Sequence, residues 1–122
     1  MTFALVIDDN RQAADALCSM LRMFGMEARA VYNPGPAMAI LEDAIPQIIF
    51  LDINMPGVDG FEVLSFLKRE PRLENVPVVI VTSDDQPETS KRALHGGANT
   101  VICKPVIVEL LEKALKKSGI QS

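Results

Sequence analysis

Residues 47–60 read Gln47-Ile48-Ile49-Phe50-Leu51-Asp52-Ile53-Asn54-Met55-Pro56-Gly57-Val58-Asp59-Gly60. Gln47–Leu51 is aliphatic or aromatic almost throughout, the pattern of a strand covered on both faces. An acid, Asp52, stands at its exit. Asp52–Gly60 then reads as a turn-rich loop. From about Gly60 to Lys68, Phe61, Leu64 and Leu67 recur at helical spacing and face inward. The stretch is therefore a strand–loop–helix unit with a carboxylate at the end of a buried strand.

The same unit recurs on both sides. Further strands are expected at Phe3–Ile7, Glu27–Val31, Pro77–Val81 and Thr100–Cys103, and helical patterns separate them. In Arg11–Phe24, the residues Ala14, Leu17, Leu21 and Phe24 form an apolar stripe opposite Gln12, Asp15, Ser19 and Arg22. Gly25 is expected to end that helix. A second helix opens with Asn33 as cap and Pro34 at its first position, and Pro46 marks its far side. A fourth spans about Pro87–His95, closed by Gly96-Gly97. The fifth, Val106–Lys117, is expected to turn Leu110, Leu111, Ala114 and Leu115 to the core. Five β-α units with right-handed crossovers make a parallel sheet with helices on both faces, an α/β doubly wound architecture. One domain is expected over residues 1–122, with 118–122 frayed.

Composition narrows the function. The 122 residues are 48% apolar and 23% charged, ordinary for a folded domain large enough to bury its own core. Twelve Lys/Arg against sixteen Asp/Glu leave a net charge of −4, the wrong balance for a binder of the nucleic-acid backbone. No apolar run is long enough to insert in a membrane. Cys18 and Cys103 stand far apart with His95 the lone histidine, so no zinc-ligand spacing exists. Both thiols read as buried or half-buried small hydrophobes in a reducing compartment, and a cytoplasmic location is expected.

In an open α/β sheet, ligands bind beyond the carboxyl ends of the strands. There the first strand delivers Asp8-Asp9, the third Asp52, the fourth Thr82-Ser83 and the fifth Lys104. Each alone has a plainer reading. Asp8-Asp9 could cap a helix, Thr82 likewise, and a lysine before a proline is commonly a surface charge. Together they suit one chemistry. Three crowded carboxylates repel one another and call for a cation, and an all-oxygen set without His or Cys favours Mg²⁺. A hydroxyl and an ammonium beside it would bind phosphoryl oxygens, and one carboxylate could be the nucleophile that accepts the phosphoryl group.

Asp8-Asp9-Asn10, the Asp52–Gly60 run, Val81-Thr82-Ser83, Gly97-Ala98 and Lys104-Pro105, in that order, resemble the response-regulator receiver domain over practically the whole chain. The resemblance implies a five-stranded sheet of order 2-1-3-4-5, flavodoxin-like, with five flanking helices. It implies Asp52 as phosphoacceptor, with Asp9, Asp52 and the Asn54 carbonyl as Mg²⁺ ligands and Asp8 acting through metal-bound water. Thr82 would hydrogen-bond the phosphoryl group and Lys104 would pair with it. The implied donor is a phosphohistidine on a histidine kinase or histidine phosphotransfer protein. The output partner would dock on the face formed by helix 4, strand 5 and helix 5. Such a protein is no enzyme in the usual sense, though it assists its own phosphorylation and dephosphorylation. At one domain's length, output is expected to come from binding another molecule.

One departure stands out. Receivers commonly carry Tyr or Phe three residues before the lysine, coupled to the threonine; here the residue is Val101, which has no large side-chain swing. Read-out is then expected to run through the backbone of the Thr82–Pro87 loop and the following helix. Asn54 and Asp84 occupy positions that tune acyl-phosphate lifetime in that family. The alternatives are a Mg²⁺-dependent phosphohydrolase using an aspartyl phosphate, a flavin or nucleotide carrier on the same topology, and a receiver-like binding module that is never phosphorylated. The first would want a D-x-D turn after strand one, and the second phosphate-binding amides where Asp8-Asp9 stand. No GxxxxGK[ST] loop signals an ATP site.

Overall fold

The computed structural model describes residues 2–120. Its elements alternate strictly: β1 Ala4–Ile7, α1 Arg11–Met23, β2 Ala28–Val31, α2 Pro34–Asp43, β3 Ile48–Asp52, α3 Gly60–Arg69, β4 Val78–Thr82, α4 Pro87–His95, β5 Thr100–Cys103 and α5 Val108–Lys117. The strands are all parallel and lie in the order β2-β1-β3-β4-β5. This is the flavodoxin-like arrangement that the receiver resemblance implies.

Alternation along each central strand feeds two cores. Ile49 and Leu51 of β3 join Leu5 and Ile7 of β1 and Val78 and Ile80 of β4 beneath α2, α3 and α4. Ile48 and Phe50 face the other way with Ala4, Val6, Val79 and Val81, beneath α1 and α5. Burial on both sides is why β3 and β4 lack an alternating polar set.

Local chemistry sets the helix ends. The Asn10 carboxamide caps α1 by accepting the Ala13 N–H, and Asp59 caps α3 by accepting from Phe61 and Glu62. Each such cap is worth about 1 kcal/mol. After α1, Gly25 takes φ +81°, and the Gly25 and Met26 amides donate back to Arg22 and Leu21. That is the glycine stop expected there. Gly60 is required for a different reason: a Cβ on it would sit 2.6 Å from the Ile53 carbonyl oxygen.

Three local expectations are corrected. Helix α5 begins at Val108 rather than Val106, because Ile107 is extended (φ −110°, ψ 159°). Leu111, Ala114 and Leu115 are buried as expected, but Leu110 is 37% exposed. Cys103 is exposed at the end of edge strand β5, whereas Cys18 is buried as expected. Ser118, Gly119 and Ile120 donate back onto α5 and Ile120 is buried; the rest of the tail expected to fray, Gln121 and Ser122, lies outside the described residues. No helix among the described residues is long and apolar enough to cross a membrane.

Candidate functional site

Strand order places the site. Because β1 lies between β2 and β3, the chain leaves β1 and β3 toward opposite sides, opening a crevice at their carboxyl ends. Ile7 pairs with Leu51, so Asp8 emerges beside Asp52, and the Asp9 carboxylate reaches them: one oxygen from each acid lies within 4.8 Å of the others. Asp8 and Asp52 are buried, each 4% exposed, while Asp9 opens to solvent.

From the other side, β5 pairs with β4 through Thr82 and Cys103, and the Lys104 N–H donates to the Thr82 carbonyl at 2.8 Å. This brings the ammonium of Lys104 to 2.9 Å from Asp8 Oδ2 and 3.5 Å from Asp52 Oδ2. The Lys104–Pro105 peptide is cis. Neither Asp8 nor Asp9 caps α1. Asp8 instead accepts the Asn10 N–H at 2.9 Å, and Lys104 is a half-buried bridge rather than a surface charge.

Asn54 ties the loop after β3 to β4. Its N–H donates to Asp52 Oδ1 at 3.0 Å, and its Nδ2 donates to Thr82 Oγ1 at 2.7 Å. Thr82 is fully buried and caps nothing; its oxygen also accepts the Asp84 N–H at 3.0 Å. The structure thus gathers Asp8, Asp9, Asp52, Asn54, Thr82 and Lys104 at one end of the sheet. Sequence reading missed the contacts that order them, namely Asn54 to Thr82 and Asp84 to Thr89 Oγ1 at 2.6 Å. They depend on loop conformations that no local pattern encodes.

The electrostatics follow from burial. Desolvation pushes the Asp52 carboxyl above the usual carboxylate range; the Asn54 N–H works against it, the Asp8 charge adds to it, and Lys104 offsets part. Burial alone would disfavour the Lys104 ammonium, yet the hydrogen bond to Asp8 and the charges of both acids win, so it is held above its ordinary value. One lysine against three carboxylates leaves the cluster short of positive charge. Three converging carboxylate oxygens, with no nitrogen or sulfur donor among them, fit a hard divalent cation such as Mg²⁺.

An apolar groove of about 390 Å³ runs from Asp8 and Lys104 between Leu17 and Met20 of α1 and Pro105–Val106.

A family model described as the response regulator receiver domain matches residues 4–116. Among curated proteins, the chain is 30% identical over 115 residues to PilH of Pseudomonas aeruginosa, covering 94% of this chain and 95% of that one. It is 28% identical over 114 residues to RcaC of Microchaete diplosiphon, covering 93% of this chain but only 18% of that protein. Among solved structures, the receiver domain of a DNA-binding response regulator (merR) from Colwellia psychrerythraea superposes with a TM-score of 0.88 at 30% identity, covering 96% of this chain and 97% of that one. Vibrio cholerae CheY4 gives 0.88 at 25% identity, covering 97% and 98%. Order of strands, acidic crevice and sequence match agree, and the chain belongs to the response-regulator receiver family.

Proposed function

We propose that this chain is a phosphoacceptor switch and that Asp52 takes the phosphoryl group. The observation that carries the reading is the Asp52 carboxylate itself. It is buried, held by the Asn54 N–H and the Lys104 ammonium, and flanked by the oxygens of Asp8 and Asp9.

Receivers as a family take phosphoryl groups from histidine kinases, so the donor here is read as a phosphohistidine on a kinase or histidine phosphotransfer protein. An Asp52 oxygen attacks phosphorus, the P–N bond to the donor imidazole breaks, and the imidazole nitrogen leaves with the bonding pair and takes up a proton. Asp9, Asp52 and the Asn54 carbonyl would hold Mg²⁺, with Asp8 acting through a bound water. That cation would neutralise charge on the phosphoryl oxygens and the carboxylates. Thr82 would donate its hydroxyl proton to one phosphoryl oxygen. Lys104, already between Asp8 and Asp52, would pair with another. With the attacking group fixed, the chain would assist its own phosphorylation and dephosphorylation without turning over a separate substrate.

The output partner is read onto the α4/β5/α5 face. There Leu94 and Leu110 are exposed, and a groove of about 540 Å³ is lined by Val101, Leu110, Lys113 and Lys117. The family setting, with its kinase donors, supports a cytoplasmic location.

The test is incubation with Mg²⁺ and a small acyl phosphate, followed by intact mass. One added phosphoryl group is expected, lost in chelator and in Asp52→Asn. Full modification of Asp52→Asn, or none of the wild type, overturns the reading.

A further inference from the structure

The loop between β4 and α4 is built around Asp84, and its contacts form a chain that starts in the acceptor site. Thr82 Oγ1 accepts two hydrogen bonds, from Asn54 Nδ2 and from the Asp84 N–H. A hydroxyl oxygen has two lone pairs. Both are used, so the O–H proton is the one group that Thr82 has left to offer an anionic oxygen.

The position of the Asp84 N–H is fixed in turn by its own side chain. Asp84 Oδ1 accepts the Gln86 N–H at 2.8 Å, and Oδ2 accepts the Thr89 hydroxyl at 2.6 Å. Those two donors, Thr89 first, hold its carboxyl below the usual carboxylate range, so it stays ionised and the contacts are charge-assisted. Thr89 lies in the first turn of α4, a helix whose Gln86 N-cap makes no side-chain cap bond. The reach from Thr89 back to Asp84 therefore joins the helix to the loop. From β5, the Cys103 thiol adds a long contact to the Asp84 carbonyl at 3.6 Å, while the Val101 side chain offers no hydrogen-bonding group.

We propose that Thr89 is a positioning residue. Through Asp84 it sets the Thr82 hydroxyl for the phosphoryl group and carries Thr82's engagement to the first turn of α4. The assignment rests on Asp52 being the phosphoacceptor. It is the hydrogen-bonded route from that site to α4 in a chain with Val101 where an aromatic is usual.

Backbone amide NMR with Mg²⁺ and the phosphoryl mimic beryllofluoride tests it in the wild type, Thr89→Val and Thr89→Ser. In the wild type, shifts are expected at Asp52, at Thr82–Asp84 and onward at Glu88–Lys91. Thr89→Val should keep the site shifts and lose the α4 shifts. Its rate of phosphorylation by a small acyl phosphate should fall by roughly threefold to tenfold, the loss of one hydrogen bond. Thr89→Ser keeps the hydroxyl and should restore both.

Two results overturn the proposal while leaving the acceptor in place: equal α4 shifts in the wild type and Thr89→Val, or equal loss in Thr89→Val and Thr89→Ser, which would mark a packing role of the methyl group. No mimic-induced shift at Asp52 and Thr82 in the wild type overturns the phosphoacceptor reading and this proposal with it.

Discussion

Asp52 carries its charge where burial favours the neutral acid, and that conflict can be measured. Its carboxyl is raised above the usual range, first by desolvation, and an unfolded aspartate titrates at about 3.9. The folded state therefore binds this proton more tightly than the unfolded one. The stability it contributes is full below the unfolded value and lost as pH rises through the folded one. Asp52→Asn removes that loss. In chelator, the variant is expected to melt above the wild type at neutral pH, with the gap closing toward about pH 4. A variant melting at or below the wild type at neutral pH contradicts the burial account. Lys104 works in the opposite sense, because removing it leaves two buried carboxylates with no cation. Lys104→Met is expected to cost roughly 1–3 kcal/mol in chelator, read from urea unfolding, and less when Mg²⁺ is present.

At the scale of elements, the approach of α3 to the loop after β3 is the tightest fit near the site. A methyl group on Gly60 would meet the Ile53 carbonyl oxygen at 2.6 Å and its Cα at 2.7 Å, both backbone atoms with little room to move. Gly60→Ala is expected to destabilise by about 1–3 kcal/mol, despite alanine's better helix propensity, and to slow acceptance at Asp52 by shifting Asn54. Urea unfolding and acyl-phosphate kinetics check the two parts. Much of the element plan was legible in the sequence because β3 and β4 are buried on both faces and so read as unbroken apolar runs. The meeting of Asp8, Asp9, Asp52, Thr82 and Lys104 was legible because the sheet delivers each of them at or just beyond a strand exit. Leu110 was not, since it lies at the edge of the stripe formed by Leu111, Ala114 and Leu115, and the way α5 docks on the sheet decides which of the two adjacent leucines is covered. Cys103 was not, because a short edge strand carries no pattern that tells its covered face from its open one. The Asn54–Thr82 and Asp84–Thr89 bonds span residues whose meeting is decided by loop shape.

Across the whole molecule, cation binding and folding should be linked. Three carboxylate oxygens converge at the sheet's end, and a divalent ion bound to the native state alone would relieve their repulsion. Mg²⁺ at a hundredfold excess over its dissociation constant is expected to add about 2.7 kcal/mol to stability, seen as a higher melting temperature than in chelator. Asp9→Ala, which removes the solvent-open acid, should erase most of that gain while leaving the chelated protein nearly as stable as the wild type. The gain should also be specific: monovalent salt at equal ionic strength should not reproduce it. The phosphoryl group is expected on the carboxylate at the end of β3. The most direct measurement phosphorylates the chain with Mg²⁺ and a small acyl phosphate, reduces the acyl phosphate with borohydride, and maps the reduced residue by peptide sequencing in a mass spectrometer. The mark is expected at Asp52 and nowhere else. A mark at Asp8, Asp9 or any residue outside this cluster, with Asp52 unmodified, would contradict it.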